Sequence, residues 1–518
     1  MRPAEDPTLE ARPKPPLAWR ALGVLALVKL VLHLAAIQRY GYFRDELYYL
    51  ASTDHLDWGY VEHPPLSIGV LALIRNTLGD SLIALRIVPA LLGAATVFMT
   101  GFIARQLGGG RYAQTLAALG ATISLVFLGN NHYYSMNSFD LFFWTLAISI
   151  LIRALESGRR RHWIVLGVIM GLGLLNKISM LWFGAGLFVG LLLTPHRRHL
   201  ATPWPWIAGA IAAVMFLPHV LWQIQHGWPT LEFMRNATGR KMVTVSPGAF
   251  ILEQILTMNP VTAPVWMAGI VFGFLSLDFK RWRILPLIYL VVFALLLVGG
   301  KSRASYLAVS YPMLLALGAI AFERGLTMNR VWLRVVVVIA MVGLGGLLVP
   351  FALPMLPVET FIRYEAAIGR KPRSEEHQRL ESLPQQYADM FGWDEMTTLV
   401  AKAYARLTPK ERAKARVFGQ NYGEAGAIDV IGRHLGLPRA MSGHNSYWLW
   451  GPGDWDGSVL IIIGGDRPDN AELFESIEIV GQTSSPYSMP YERGLDVSIG
   501  RGLKIPVKEL WPRLRLYI

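Results

Sequence analysis

Cysteine is absent from the 518-residue chain. The protein therefore has no disulfide, no thiolate ligand for zinc and no cysteine nucleophile, and its redox compartment stays open. Charged side chains are scarce, at 16% of the residues against roughly a quarter in soluble domains. No glycine-rich nucleotide-binding loop occurs, which disfavours a nucleotide-sugar donor. Hydrophobic residues, by contrast, make up 53% of the chain, which is typical of a polytopic membrane protein.

Hydrophobic runs along the chain predict eleven membrane-spanning helices. A span needs about 20 apolar residues to cross a hydrocarbon core of about 30 Å. The predicted spans cover residues 17–37, 82–104, 112–129, 139–156, 163–176, 179–194, 205–222, 261–277, 284–299, 306–322 and 331–350. The first of them is not followed by a small-residue cleavage site, so we expect it to remain as an uncleaved helix.

Basic residues distinguish the two sides of the predicted membrane domain. Inner connections such as 159–161 and 196–199 are basic, whereas the outer connections hold acids, aromatic residues and prolines. The positive-inside rule therefore predicts that the N-terminal tail, residues 1–16, is cytoplasmic. The outer loops are then residues 38–81, 130–138, 223–260 and 300–305. The net charge of +13 reflects the inner clusters and does not indicate a nucleic-acid partner.

The composition changes after Pro350. Residues 17–350 form the predicted membrane domain, and residues 351–518 are more polar, as expected for a soluble domain on the outer side. There, "RVFGQNYGEAGAIDVIGRHLG" is typical of a strand, a turn and a helix, and "SVLIIIGG" of a buried strand. Two apolar segments of the outer loops, "VEHPPLSIGVLALIRNTLGD" and "SPGAFILEQILTMNP", predict surface helices. The sequence thus predicts a polytopic α-helical protein with a C-terminal extracytoplasmic α/β domain.

Three charges, Arg44, Asp45 and Glu46, follow the first predicted span. In a helix, Asp45 shares a face with Tyr48 and Tyr49, whereas Glu46 points elsewhere, so the two acids have different roles. An acid that faces a protein cavity at the membrane boundary indicates function, but a solvated helix end explains the same residues equally well.

A second cluster, Glu62 and His63, precedes two prolines that favour a helix start at Pro64 or Pro65. His63 would then lie among the unpaired N–H groups of a helix N-terminus, which is an anion site. The simpler reading is an exposed loop histidine. Glu62, His63 and two further histidines of the outer loops only weakly indicate a metal site, because their spacing is not diagnostic.

Further charges lie near the outer ends of later spans. Asp140 is predicted in the first turn of the fourth span, where helix-dipole complementarity alone accounts for an acid. Lys177 lies in a turn on the side that disfavours lysine, so it either binds an anion or extends its ammonium group to the interface. Lys301 and Arg303, followed by Tyr306, need a partner on the outer side, and a phosphate head group fits that need.

Acids and cations on one side of a membrane suit an enzyme that cleaves a lipid-linked sugar phosphate. A carboxylate acts as general base for the incoming hydroxyl, and the cations hold the leaving phosphate. Two other readings remain open. A transporter or flippase of lipid-linked sugars predicts interrupted helices, midplane charges and related halves. A non-catalytic lipid-binding membrane protein predicts intact residues without turnover.

The chain resembles the bacterial members of glycosyltransferase family 39. The resemblance rests on "FRDELYYL", "EHPPL", "SFDLFF", "GLGLLNK" and "KSRASYLAVSYP", and covers roughly residues 15–350. These are GT-C membrane enzymes that include protein O-mannosyltransferases and the lipid A aminoarabinose transferase. The resemblance implies a GT-C fold, a bacterial inner-membrane location and an undecaprenyl or other polyprenyl phosphate-linked sugar as donor.

The resemblance also implies roles for individual residues. Asp45 matches the proposed catalytic base and Asp140 the assisting acid, while Glu46, placed with them, supports the loop through hydrogen bonds. The residues expected to hold the donor phosphate are Glu62, His63, Lys177, Lys301, Arg303 and Tyr306. His63 replaces the family's lysine, which weakens the inference of a permanent cation there. No obligatory cofactor is implied, although a divalent cation at Glu62 stays open.

Residues for acceptor or sugar contact are less specific. Tyr48, Tyr49 and His226 lie in the outer loops, and Trp448 and Trp450 lie in a C-terminal segment that resembles other bacterial family members. Aromatic side chains stack on sugars, but a folded domain core explains the two tryptophans at least as well. The sugar, the acceptor and the oligomeric state stay open.

Overall fold

The structure is a computed structural model, and it describes residues 14–327, 330–369, 376 and 379–518. Most of the predicted tail, residues 1–16, lies outside the described residues. The N-terminal helices are α1 (Trp19–Ala36), α2 (Arg44–Ser52), α3 (Leu66–Leu78), α4 (Leu82–Gln106), α5 (Arg111–Ile123), α6 (Leu125–Asn130), α7 (Met136–Ser157), α8 (Arg160–Asn176), α9 (Met180–Leu193), α10 (Trp204–Gln225), α11 (Pro229–Asn236), α12 (Pro247–Met258), α13 (Ala263–Leu275), α14 (Ile284–Gly299), α15 (Tyr311–Gly325) and α16 (Val331–Leu347).

Each predicted span coincides with helix, but fewer helices have the length and composition of a complete span. Among the described residues, five helices pass that test: α1, α4, α7, α10 and the continuous helix Ala304–Gly325, which ends with α15. A sixth span results if α12 and α13 are counted as one, bent by 96°. Helices α8, α9, α14 and α16 are apolar but shorter, and the predicted span 112–129 is divided between α5 and α6. The count of eleven therefore stays a prediction.

Burial distinguishes the central helices of the bundle from the peripheral ones. The apolar windows of α7 and of Ala304–Gly325 are 72% and 78% buried, against 22% for α1 and 28% for α10. The peripheral helices instead expose large apolar side chains, such as Leu27 and Val31 of α1 and Val214 of α10. A helix with an apolar exposed face is suited to lipid rather than water.

The two predicted surface segments are helical. The first is α3, which begins at Leu66, one to two residues later than the prolines predicted. The second is α12, which starts with Pro247 after the cap Ser246 and meets α13 at the sharp bend. An angle near 90° is the geometry expected where a helix along a membrane surface joins a helix that spans it.

The C-terminal part contains short helices and a mixed sheet. Its helices are α17 (Val358–Ile368), α18 (Gln385–Ala388), α19 (Trp393–Arg406), α20 (Pro409–Lys414), α21 (Tyr422–Val430), α22 (Ser446–Trp450), α23 (Arg467–Leu473) and α24 (Val507–Leu510). The strands are β1 (Arg416–Phe418), β2 (Ala440–Met441), β3 (Val459–Ile463), β4 (Phe474–Gln482) and β5 (Asp496–Leu503), in the order β2-β1-β3-β5-β4. Strand β1 is parallel to β2 and β3, and β5 is antiparallel to β3 and β4. The predicted α/β character and the buried strand "VLIII" are confirmed.

The first outer loop and the C-terminal domain share one hydrophobic core. Leu47 and Leu50 of α2 pack in the same buried cluster as Val417 of β1, Ile428 of α21 and Ile461 of β3. Removal of these side chains from water stabilises the contact at roughly 25 cal/mol per Å² of apolar surface. The loop that carries Asp45 is therefore held from two sides, by the helical bundle and by the C-terminal domain.

Candidate active site at the outer end of the bundle

Helix α2 carries two adjacent acids that face different surroundings. Glu46 is fully buried, and its carboxylate accepts hydrogen bonds from the Arg86 guanidinium at 2.7 and 2.9 Å. It also accepts from the backbone N–H groups of Phe43 and Tyr134, each at 2.9 Å. Both oxygens are thus engaged inside the protein, so Glu46 holds the loop and does not reach a substrate. Glu46 was predicted among the catalytic residues, and its burial corrects that prediction.

Asp45 has the opposite environment. Its side chain is 36% exposed, and its Oδ1 atom accepts a hydrogen bond from the Tyr422 hydroxyl at 2.9 Å. The Arg44 Nε atom lies 3.8 Å from the same oxygen. Arg44 in turn donates to the Tyr491 hydroxyl at 2.6 Å and lies 3.8 Å from Asp389, whose pKa burial raises to about 6. Asp45 is therefore a fixed carboxylate with an accessible face, as a general base requires.

The surroundings of Glu62 and His63 are not those expected of two phosphate ligands. Glu62 accepts hydrogen bonds from the Tyr48 hydroxyl at 2.8 Å and from the Asn445 amide at 2.5 Å. Burial raises the pKa of Glu62 to about 7. His63 is 1% exposed, its ring stacks on Tyr49 at 4.8 Å, and burial lowers its pKa to about 4.

The placement of His63 corrects the expectation of an anion site at a helix start. Helix α3 begins three residues after it, and the His63 Nδ1 atom lies 3.0 Å from the Pro64 carbonyl oxygen. An imidazole that is neutral and buried supplies no positive charge to a phosphate. The sequence could not show this, because the aromatic residues that enclose His63 come from α2 and from the same loop after folding.

Asp140 and Lys177 form the second polar group of the site. Asp140 was predicted in the first turn of its helix. Helix α7 begins at Met136, however, so Asp140 lies in the second turn. Its carboxylate accepts hydrogen bonds from the Ser179 hydroxyl at 2.7 and 2.8 Å and lies 3.7 Å from the Lys177 ammonium. Lys177 also donates to Asn137 at 2.7 Å. We call Asn137, Asp140, Lys177, Ser179 and Tyr306 the Asp140 pocket.

Tyr306 belongs to this pocket through its ring. The Lys177 ammonium lies 5.2 Å from the ring centroid, which is a cation–π distance. Burial lowers the pKa of Lys177, while the Asp140 carboxylate raises it and Arg303 lowers it. The ammonium is thus close enough to both Asp140 and Arg303 for their charges to act on it.

Arg303 pairs with Glu376. The same carboxylate lies 3.6 Å from the Lys241 ammonium. Burial lowers the pKa of Lys241, as does the charge of Arg44, whereas Glu376 and Asp45 raise it. Lys241 and Arg303 therefore meet at one carboxylate, that of Glu376.

The remaining predicted residues are less central. For Lys301 the structure records no ion pair or hydrogen bond with another side chain among the described residues. His226 is exposed and stacks on Trp222 at 4.3 Å, and Trp448 donates to the Trp511 carbonyl oxygen at 3.0 Å inside the C-terminal domain. Trp450, by contrast, stacks on His55 of the first loop at 4.3 Å and lies 6.0 Å from the Tyr48 ring.

Several residues of the site were not among the predicted ones. Asn445 and Asp389 come from the C-terminal domain, and no local pattern around them points to the first loop. Lys241 was visible as one of several charges in a wet loop, and only its distance of 3.6 Å from Glu376 selects it. Among residues 14–327, 330–369, 376 and 379–518, no group of three or more potential metal ligands occurs.

Known proteins resemble this chain in sequence and in fold. The model of the dolichyl-phosphate-mannose-protein mannosyltransferase family matches residues 62–222. The chain also shares its fold with the crystal structure of ArnT from Cupriavidus metallidurans in the apo state, with a TM-score of 0.62 at 15% identity, covering 93% of this chain and 97% of that one. The chain is thus similar to this family over residues 62–222, and it shares the fold of ArnT. The expected resemblance is confirmed.

Curated relatives match over shorter stretches. The chain is 31% identical over 205 residues to the lipid A galacturonosyltransferase RgtD of Rhizobium johnstonii, covering 38% of this chain and 41% of the relative. It is 30% identical over 128 residues to the undecaprenyl phosphate-alpha-4-amino-4-deoxy-L-arabinose arabinosyl transferase of Pseudomonas aeruginosa, covering 24% and 23%. The matched stretches thus span less than half the length of these relatives. The family match starts at residue 62, beyond Asp45.

Proposed function

We propose that this GT-C protein is a membrane glycosyltransferase that moves a sugar from a polyprenyl-phosphate donor to an acceptor outside the cytoplasm. The observation that carries the proposal is the set of charges at this end of the helices. Asp45 has an accessible carboxylate, Lys241 and Arg303 share the Glu376 carboxylate, and Lys177 lies 3.7 Å from Asp140. A general base and a set of cations are the two groups that such a transfer needs.

The reaction is a single displacement with inversion at the anomeric carbon. The acceptor hydroxyl gives its proton to Asp45 as its oxygen forms a bond to that carbon. The bond from the carbon to the phosphate oxygen breaks, and the electron pair leaves with polyprenyl phosphate. Lys177, Lys241 and Arg303 stabilise the negative charge of that leaving group. The Asp140 carboxylate holds Lys177 in place, which makes Asp140 a positioning residue in this scheme.

The relatives support the substrate class. One is named for transfer of aminoarabinose from undecaprenyl phosphate, another for transfer of galacturonate to lipid A, and ArnT is known with undecaprenyl phosphate bound. We infer a lipid-linked donor of this kind here, with a lipid, a glycan or a protein as acceptor. The absence of the family's lysine at His63 argues against identity with the aminoarabinose reaction.

The proposed arrangement in the membrane follows the charge pattern. Eleven spans, a cytoplasmic tail at residues 1–16, a membrane domain at 17–350 and an extracytoplasmic domain at 351–518 place Asp45, Lys177, Arg303 and the C-terminal sheet on one side of a bacterial inner membrane. Fusion of a reporter enzyme after residue 350 tests this arrangement, because only an outer location activates a periplasmic phosphatase there. The cations and Asp45 supply the whole charge complement of the scheme, so we infer no obligatory cofactor.

The deciding experiment measures release of polyprenyl phosphate by purified protein in detergent. The donors are undecaprenyl phosphates that carry aminoarabinose, galacturonate or a hexose, and a membrane extract supplies acceptors. We expect turnover with one donor, and Asp45→Asn lowers it by about 10²- to 10⁴-fold while donor binding is kept. The charge-matched control is Asp278→Asn, because Asp278 pairs with Arg324 on the predicted inner side.

Two outcomes would contradict the proposal. Binding of the lipid without turnover from any donor favours a non-catalytic lipid-binding protein, and movement of the donor across proteoliposome membranes without cleavage favours a flippase. Equal turnover of the wild type and Asp45→Asn would keep the transferase and remove Asp45 as its base.

A further inference from the structure

Polar residues of the first outer loop find their partners in the C-terminal domain. The pairs are Asp45 with Tyr422, Tyr48 with Ser446, and Glu62 with Asn445, at donor–acceptor distances of 2.9, 3.2 and 2.5 Å. The paired residues lie 377, 398 and 383 positions apart in the chain. These bonds are directional, so together they fix the orientation of the domain on the loop.

Helix α21 of the C-terminal domain also packs very closely against helix α2 of the loop. A Cβ atom on Gly426 would lie 2.9 Å from the Leu47 backbone, and one on Gly423 would lie 2.5 Å from the Arg44 side chain. Both glycines belong to α21, three residues apart, and so lie on one face of that helix. A larger residue at Gly426 meets backbone that cannot give way, so it would displace α21 from α2.

Tyr422 is held on several sides. Its ring lies 4.9 Å from the Tyr48 ring and 4.8 Å from the His444 ring, and the Arg44 guanidinium lies 5.3 Å from its centroid. The side chain is 7% exposed. The hydroxyl that donates to Asp45 therefore has a fixed position, set by residues from both the loop and the C-terminal domain.

We propose that the C-terminal domain completes the reaction centre and that Tyr422 is a positioning residue for Asp45. This rests on the proposed transferase function. The Tyr422 hydroxyl holds Oδ1, and within the described part of the chain no side chain donates a hydrogen bond to Oδ2. The Oδ2 atom is thereby directed at the acceptor hydroxyl, whose proton it takes. Without the bond the carboxylate rotates, and fewer of its orientations are productive.

The test compares Tyr422→Phe with wild type in full-length protein. The change removes only the hydroxyl, so we expect kcat to fall about 10- to 100-fold, while the KM values for donor and acceptor stay within about twofold. The matched control is Tyr447→Phe, because the Tyr447 hydroxyl donates to Asp429 at 2.7 Å within the C-terminal domain. We expect this control to keep the wild-type kcat.

A second variant tests whether turnover needs the C-terminal domain packed against the first loop. Gly426→Leu is expected to lower kcat at least as much as Tyr422→Phe while binding of undecaprenyl phosphate is kept. An unchanged kcat in Tyr422→Phe overturns the positioning role, as does an equal loss in Tyr447→Phe. Full turnover by Gly426→Leu overturns the need for the docked domain. Each of these results leaves wild-type turnover intact, whereas failure of the proposed function would abolish turnover in the wild type itself.

Discussion

The first outer loop and the Asp140 pocket hold their charged groups through different kinds of contact. Both hold charged groups at the outer end of the helices. In the Asp140 pocket the partners are close in sequence, since Lys177 donates to Asn137 and Ser179 donates to Asp140 across 40 and 39 positions. The loop instead pairs Asp45 with a domain 377 positions away. The pocket is therefore intrinsic to the helical bundle, while the acid depends on docking.

Loss of the buried Glu46–Arg86 ion pair is expected to lower the stability of the protein more than the other changes do. Glu46→Gln leaves the Arg86 guanidinium buried without its charge partner, which costs about 3–5 kcal/mol. We expect the thermal unfolding midpoint to drop by about 10 °C, measured by tryptophan fluorescence in detergent. The control Glu381→Gln breaks an exposed pair with Arg493 and should shift the midpoint by about 1 °C at most. Equal shifts would mean that the loop does not limit stability.

A change of pH tests the docked surface without a mutation. Burial raises the pKa of Glu62 to about 7 from an ordinary 4.5, so the folded state binds more protons than the unfolded state between those values. Stability therefore falls as pH rises from about 4.5 to 7 and is flat above it. We expect a midpoint about 3–5 °C lower at pH 8 than at pH 5.

Glu62→Gln should flatten part of this pH dependence, because the amide does not titrate. Asp389 and Asp429, whose pKa values burial raises to about 6, and Glu492, whose pKa burial raises to about 7, contribute in the same direction. The buried His63, whose pKa is lowered to about 4, acts in the opposite direction below pH 6.5. A pH dependence in Glu62→Gln equal to that of the wild type would show that Glu62 is not the titrating group.

The Asp140 pocket is tested by donor affinity. Lys177→Met removes the ammonium that the pocket holds, and a charge-assisted hydrogen bond to phosphate is worth about 1.5–3 kcal/mol. We expect the Kd for undecaprenyl phosphate to rise about 10- to 100-fold, and the thermal midpoint to fall as well, because the buried Asp140 loses the cation 3.7 Å away. The control is Lys508→Met, since Lys508 is exposed on α24. Unchanged affinity in Lys177→Met would remove Lys177 from the phosphate site.

The smallest expected effect concerns the carboxylate that neutralises two of the cations. Glu376 pairs with Arg303 and lies 3.6 Å from Lys241, and these cations lower its pKa although burial opposes them. Glu376→Gln removes the negative charge that the two cations share, so we expect the Kd for undecaprenyl phosphate to fall about threefold to tenfold. Weaker binding would instead show that Glu376 orients the cations for the ligand.

The sequence predicted more of the Asp140 pocket than of the first outer loop. Lys177 was singled out by its predicted side of the membrane, and its neighbours Asp140 and Tyr306 lie in segments that sequence patterns also indicated. His63 was placed wrongly, because its burial depends on Tyr49 stacking against it. The roles of Tyr422 and Asn445 were not predicted, since hydrogen bonds across more than 370 positions leave no periodic trace.

By itself, the sequence determined the helical character, the α/β nature of the C-terminal part and which segments hold the unusual charges. It did so because hydrophobic periodicity and charge sidedness are local consequences of the lipid solvent. Only the tertiary structure decided which charges meet. It buried Glu46 against Arg86, left Asp45 accessible beside Tyr422, and brought Lys241 and Arg303 to one carboxylate, because packing of distant segments sets the solvation and the partner of each charge.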